Sequence, residues 1–211
     1  MKPLVIIGAG GFGREVLDIA DAVNAVEPTW EIVGVVDDNP SAENLERLRK
    51  RSVPFLGTID TIVASADRPF YVVGIGAPAV RRRIADRLHA EGFESVTLVH
   101  PSVSRGFDVE IGTGSVLCAG VRITTNIRIG RHVHINLNAT VGHDTTIGDF
   151  VSVNPLASIS GDCVLHDDVL IGVAGVIING LSVGAGATVG GSACVVRDVP
   201  ASVVVKGVPA R

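Results

Sequence analysis

The strongest constraint on this chain is a strict six-residue period running through its second half. An aliphatic residue recurs at every sixth position from Ile111, Leu117, Ile123 and Ile129 through Val141, Ile147 and Val153 to Val195, fifteen times without a slip. Counting that aliphatic as the first place of a hexad, glycine takes the second place seven times, as in Ile111-Gly112 and Ile147-Gly148. The fifth place is mostly small or β-branched, as at Val121, Val133, Ala139, Thr145 and Cys163. So short a repeat indicates a β-helix. Each hexad is one short strand and one corner, and three hexads close a triangular coil of eighteen residues. Coils stack at the strand spacing of about 4.8 Å. First-place aliphatics then fill the axis, and glycine is expected to ease the tight corners. Fifteen hexads give about five coils. Hexad prisms wind left-handed, against the usual right-handed crossover. The tail ASVVVKGVPAR breaks the hexad and is expected to fold back as a cap, because the open end of a repeat core needs cover.

The repeat also disposes of a false membrane span. Val169–Val196 carries no charge and is long enough to cross a bilayer. Its glycines keep step with the hexad, which a lipid-facing helix has no reason to do. At the N-terminus the apolar run Leu4–Ile7 is too short for a signal-peptide core. The chain is therefore expected to be soluble and cytoplasmic. With 18 basic and 22 acidic residues its net charge is −4, so no basic footprint points to nucleic acid. Cys118, Cys163 and Cys194 have no metal-type spacing and are read as small thiols in a reducing compartment.

Residues 1–100 follow another rule. Short aliphatic runs at Pro3–Ile7, Glu31–Val36, Phe70–Val73 and Ser95–Val99 alternate with helical patterns. The helices are expected over Phe12–Ala25, from a Ser41 cap to about Lys50, and from Pro78 to a stop at Gly92. Continuous apolar strands alternating with helices predict a parallel sheet covered on both faces. The expected fold is thus α/β plus all-β: a Rossmann-like domain at 1–100, then a left-handed parallel β-helix at 101–211.

Gly8, Gly10 and Gly13 fit the GxGxxG pattern between the first strand and helix, with Asp37 and Asp38 following the second strand. Alone, this is a dinucleotide signature. No second mononucleotide half follows, because the β-helix begins instead. A nucleotide sugar also carries a pyrophosphate, and the same glycine turn and helix N-terminus suit it. In the β-helix, the hexad Val141–Thr146 holds His143 and Asp144 at an outward corner. Unaided, the sequence leaves that pair as either a solvated turn or a reactive one. His132 and His166 are read as solvated corners.

GAGGFGRE, VVDDNP, HPSV, the hexads, GHDTTIGDF and VVVKGVPAR together span nearly the whole chain. In these it resembles the nucleotide-sugar acyltransferases of the sialic-acid O-acetyltransferase family, which include N-acetyltransferases of UDP-, dTDP- or GDP-linked 4-amino-4,6-dideoxy sugars. The resemblance implies a homotrimer with acetyl-CoA as co-substrate, active sites between subunits, and no metal. It implies that Gly8, Gly10, Gly11, Phe12, Gly13, Asp37, Asp38, Gly74, Ile75 and Gly76 hold the nucleotide sugar, the two acids lying near base or ribose. It makes His143 the general base and Asp144 its orienting partner. A His, with a reference pKa of about 6.5, suits removal of an amine proton during attack. The backbone at Gly161, Val173 and Gly191 would contact the acetyl group and pantetheine arm, with Gly161 N–H as an oxyanion donor. Some relatives have a second His nine residues after the first, against the acetyl carbonyl; here that position is Ser152, whose hydroxyl can still donate.

Other readings stay open at this stage. One is an O-acetyltransferase with the same His. A second is a non-enzymatic nucleotide-sugar-binding scaffold. A third is a zinc enzyme of the carbonic-anhydrase type, but His132, His134, His143 and His166 lack its spacing.

Overall fold

The computed structural model describes residues 1–211. The chain divides into two compact units, Met1–Leu98 and Val99–Arg211. The first runs β1 (Lys2–Ile7), α1 (Gly11–Val26), β2 (Trp30–Val36), α2 (Ala42–Lys50), α3 (Ile59–Ala64), β3 (Phe70–Val73) and α4 (Pro78–Ala90). Its three strands are parallel in the order β2-β1-β3. Leu4, Val5, Ile6, Val72 and Val73 are fully buried, as expected of a sheet covered on both faces. Ser41 caps α2 by accepting from Asn44 N at 3.1 Å, and Arg47, Arg49 and Lys50 lie in its last turn, where the helix dipole favours cations. No helix is long and apolar enough to cross a membrane.

Two features of this unit differ from expectation. Helix α3, six residues long, was not foreseen, since one and a half turns carry no readable period; Ile59 and Ile62 bury its inner side. The expected strand Ser95–Val99 does not join the sheet as a strand. Only Ser95 bridges to Tyr71, and Leu98–Val99 instead opens the ladder that follows.

In the second unit the three flat faces hold seven, six and five parallel strands, most of them two residues long. That is about six coils where fifteen hexads suggested five. The extra strands lie outside the strict repeat, at its two ends. Pairing is offset by eighteen residues throughout the repeat: His134 faces Ser152, Thr140 faces Ser158, and Thr146 faces Val164. First-place Ile135, Val153 and Ile171 and fifth-place Val133, Ala139, Val151 and Cys163 are all fully buried along the axis. The tail shortens the last coil. Val204 pairs with Thr188, sixteen residues away, and Ala210 N donates to Cys194 O at 2.7 Å as the chain closes the end.

The corners revise the role assigned to glycine. The residue in the left-handed region is the fourth of each hexad, from Asp108 to Ser192. Eleven of these are not glycine, with φ between 53° at Ala174 and 63° at Leu156. None of the second-place glycines has a left-handed φ. Those glycines serve close approach instead. A Cβ on Gly112 would sit 2.5 Å from Gly130 C, and one on Gly142 would sit 2.5 Å from Gly161 N, both backbone atoms of the next coil.

Gly112→Ala should therefore destabilise by about 1–3 kcal/mol through overpacking. Ala174→Gly should stabilise by about 0.5–1 kcal/mol, the left-handed penalty relieved less the entropy glycine loses. Equilibrium denaturation midpoints of the two variants check both signs; equal shifts in one direction would contradict the division of labour.

Candidate active site

His143 and Asp144 are the third and fourth places of one corner, between the strands Thr140–Val141 and Thr146–Ile147. Asp144 N donates to Thr125 O at 3.0 Å, and Asp162 N donates to His143 O at 2.8 Å. The corner is thus pinned to the coils before and after it. Thr145, fully buried, adds a bond from its Oγ1 to Ser160 O at 3.2 Å, and accepts from Cys163 N at 3.4 Å.

The pair itself is formed. His143 Nδ1 lies 2.7 Å from Asp144 Oδ2, and Asp144 Oδ1 accepts from Asn126 Nδ2 at 3.0 Å. The Asn126 hydrogen bond, and after it the His143 bond, hold the Asp144 carboxyl below its ordinary value. An ionised carboxylate on Nδ1 fixes that nitrogen as the protonated one, and leaves Nε2 with its lone pair. Nε2 is directed over Gly161. A Cβ at Gly161 would stand 2.4 Å from Nε2 and 2.5 Å from Cε1, so only glycine leaves room for the ring in this position. The side chains of His143 and Asp144 are 56% and 46% exposed, open to an incoming molecule.

The backbone around the pair has donors to offer. No third-place amide between Thr113 and Gly191 donates into the main-chain ladder. Along one corner the Asp149 and Asp167 carboxylates accept from Arg131 N and Asp149 N. Gly161, Val173 and Gly191 also occupy third places. Val173 and Gly191 are exposed on a second corner, and Gly161 is on the corner of His143. Cys163 is no nucleophile. Its thiol is fully buried, lies 3.3 Å from Ile178 O, and burial pushes its pKa up.

Other residues singled out by sequence behave differently. Ser152 is 1% exposed, on the seven-stranded face and half a coil from His143, so one chain does not bring the two together. His134, its strand partner, is fully buried. His132 is not a solvated corner: it is 6% exposed and stacks on Phe150 with ring centroids 5.0 Å apart. Asn136 aligns with Asn154 in register, and its Nδ2 bonds Val153 O at 3.2 Å, a structural use. His143, Asp144 and Asp162 present donor atoms within 4.8 Å of one another, all three exposed.

In the first unit a cleft of about 320 Å³ opens beyond the carboxyl ends of the strands, lined by Gly8, Asp37, Asp38, Ile75, Arg83 and Arg87 among others. Ligands of open α/β sheets collect at that end. A larger cavity of about 560 Å³ lies beside Pro3 and Pro69, near the strand starts, where this rule places no ligand. The glycines divide their work. Gly8 has φ +112°. A Cβ on Gly13 would meet Gly8 O at 1.8 Å, and one on Gly74 would meet Gly13 Cα at 2.6 Å. Gly10, Gly11 and Gly76 face open space, and half-buried Phe12 follows them in the first turn of α1. Asp37 accepts from Ala9 N at 2.8 Å and Asn39 N at 2.9 Å, and Asp38 accepts from Ile59 N at 2.9 Å. Both acids thus shape the turns that rim the cleft. Sequence reading missed the cations: Arg83 and Arg87 line the cleft, and fully buried Arg81 donates to Ile75 O at 2.9 Å and Gly76 O at 3.1 Å, bracing the loop after β3. Their signal was present in the run Arg81-Arg82-Arg83 at the start of α4.

A hexapeptide β-helix with a histidine–carboxylate pair on an open corner, preceded by a small nucleotide-type α/β unit, defines a class of acyltransferase. Residues 3–88 match the family described as the PglD N-terminal domain. Over 211 residues the chain is 33% identical to the GDP-perosamine N-acetyltransferase of Escherichia coli O157:H7, covering 98% of this chain and 94% of that protein. The chain belongs to this family of sugar N-acetyltransferases. Among solved structures, the acetyltransferase domain of PglB from Neisseria gonorrhoeae FA1090 superimposes with a TM-score of 0.87 at 29% identity, covering 100% of this chain and 99% of that one. PerB from Caulobacter crescentus, in complex with CoA and GDP-perosamine, gives 0.86 at 29% identity, covering 100% and 97%. Two variants of the Caulobacter enzyme with one histidine replaced, by asparagine or by alanine, have been solved with the same two ligands.

The packing of the His143 ring on Gly161 generates a prediction. Gly161→Ala should turn the exposed ring outward and cut kcat for acyl transfer by about a hundredfold, the order expected of a misplacement near 1 Å. Thermal stability should change little, because the ring has solvent to move into. Steady-state kinetics beside a melting curve check this; an unchanged kcat would mean the ring does not act where it lies.

Proposed function

We propose that the chain transfers the acetyl group of acetyl-CoA to the amino group of a nucleotide-linked 4-amino-4,6-dideoxy sugar, with GDP as the nucleotide. The observation that carries the reading is the 2.7 Å bond from Asp144 to Nδ1 of His143, which leaves Nε2 of the half-exposed ring, over Gly161, as the base. The relatives support the substrate class: the one 33% identical is a GDP-perosamine N-acetyltransferase, and PerB holds CoA and GDP-perosamine.

The steps follow from the groups present. The amine must be neutral to attack, and Nε2 of His143 takes its proton as the N–C bond to the thioester carbonyl forms. Asp144 stabilises the resulting imidazolium. The oxyanion needs a donor, and the Gly161 amide, a third-place N–H outside the ladder, is suited to it. Collapse breaks the C–S bond, and the proton passes from the imidazolium to the CoA sulfur. Third-place amides at Val173 and Gly191 line the path we assign to the pantetheine arm. Gly10, Gly11 and Gly76 leave room in the first unit for the nucleotide sugar, while Arg83 offers charge to its diphosphate. Asp37 and Asp38 act through the turns they hold.

A homotrimer completes the reading. Leu137, Leu156 and Val173 lie along one corner column with 39%, 60% and 51% of their surface exposed, an apolar ridge that a second copy would cover. Light scattering should give three times the 21.8 kDa chain mass.

Two measurements test the activity. CoA release from acetyl-CoA should require a 4-amino-4,6-dideoxy sugar nucleotide, and the GDP-linked acceptor should outpace its UDP- and dTDP-linked counterparts. His143→Ala should lower kcat by at least about a hundredfold, the low end of what a general base contributes. Turnover undiminished in that variant would remove the base, and no turnover with any amino-sugar nucleotide would remove the reaction.

A further inference from the structure

The corner column that holds Asp144 contains a residue to which the mechanism above gives no part. Asn126 lies one coil before Asp144 at the same hexad place, and both have left-handed backbone, with φ of 56° and 59°. Its Nδ2 donates to Asp144 Oδ1 at 3.0 Å, while Oδ2 of the same carboxylate meets His143 Nδ1 at 2.7 Å. A carboxylate gripped at one oxygen has its second aimed. The amide orientation of Asn126 follows from its neighbour, since only the nitrogen can donate to a carboxylate. Its backbone is anchored by Asn126 N donating to Phe107 O at 3.0 Å, and Thr125 Oγ1 lies 3.4 Å from its Oδ1.

We propose that Asn126 is a positioning residue for acetyl transfer: it holds the Asp144 carboxylate in the rotamer that presents Oδ2 to His143 Nδ1, and so keeps Nε2 free to take the proton from the acceptor amine. The inference rests on the reading of His143 as base. Its chain is Asn126 Nδ2–H to Oδ1, then Oδ2 to H–Nδ1 of His143. The depressed Asp144 carboxyl agrees, since the Asn126 bond is the first cause of that shift. The rival role is that of a turn residue alone, because asparagine suits a left-handed corner. The two roles separate cleanly. Glycine keeps the corner and deletes the bond; aspartate keeps the size and puts an acceptor where the donor was.

The experiment compares Asn126→Gly, Asn126→Asp and His143→Ala in the full-length protein, each by melting curve, by kcat and KM for acetyl-CoA and for the amino-sugar nucleotide, and by the pH profile of kcat/KM. Asn126→Gly should melt close to the parent yet lose roughly tenfold in kcat, a fraction of the 10²–10⁴ that a general base contributes, with both KM values within about twofold. Asn126→Asp should lose more, and its acid limb should move to higher pH, because a second carboxylate beside Asp144 favours the protonated forms of the pair. A parental kcat and pH profile in both Asn126 variants, with His143→Ala inactive, overturns the positioning role and leaves the base standing. Parental turnover in His143→Ala overturns the base reading itself.

Discussion

Everything chemical in the second unit depends on one geometric constraint: the main-chain ladder sets each residue directly above the one eighteen places earlier. Amides at the second and sixth places donate to the coil that follows, and those at the fourth place donate to the coil before. Thr125 O, Asp144 N, His143 O and Asp162 N are links in that ladder, so the backbone under the His–Asp pair moves only if neighbouring coils move with it. A site on such a corner combines an exposed side chain with a backbone as fixed as a sheet interior. That is the combination an enzyme needs when its reactive group must meet a large substrate from solvent yet hold its angle.

The same stacking decides where glycine must fall. At second-place glycines such as Gly112 and Gly142 neighbouring coils come within backbone contact, and a Cβ there would have no space. At Gly161 the conflict is with a side chain: the imidazole of His143 occupies the volume a Cβ would need. The second-place glycines are therefore explained by packing between coils and Gly161 by the ring of His143, although both read in sequence as members of a glycine-rich repeat. In the first unit Gly13 and Gly74 likewise let helix and strand backbones meet, while Gly10, Gly11 and Gly76 border open space where a ligand would lie.

This difference marks how far the sequence is legible. The β-helix, its eighteen-residue coil and the corner place of His143 were readable because a period repeated fifteen times overrides any local ambiguity. The strands β1, β2 and β3 were readable because buried parallel strands are continuous apolar runs. Helix α3 was not, because six residues carry too little pattern. Nor was the burial of His132 and Ser152, since the hexad tells which way a side chain points but not what covers it. The sequence offered two adjacent acids after β2, but only the folded structure shows that Asp37 spends both oxygens on backbone amides, while the cations that line the cleft come from α4.

The left-handed fourth place ties these observations together. Short polar residues tolerate that conformation best, and the column Asn126, Asp144, Asp162 consists of them, with φ of 56°, 59° and 58°. A residue chosen to turn the corner is thereby already a carboxylate beside the third-place histidine, and the residue turning the corner one coil earlier is already a donor to it. The pair we propose as catalytic therefore asks little of the fold beyond what the fold asks of itself. On the proposed reading, a histidine at the third place of such a corner is the base, the turn supplies its partner, and the coil before supplies the grip. The hydrogen-bonded chain from Asn126 to Nε2 is then a consequence of hexad geometry, and its sharpness depends on the same eighteen-residue register that holds the core.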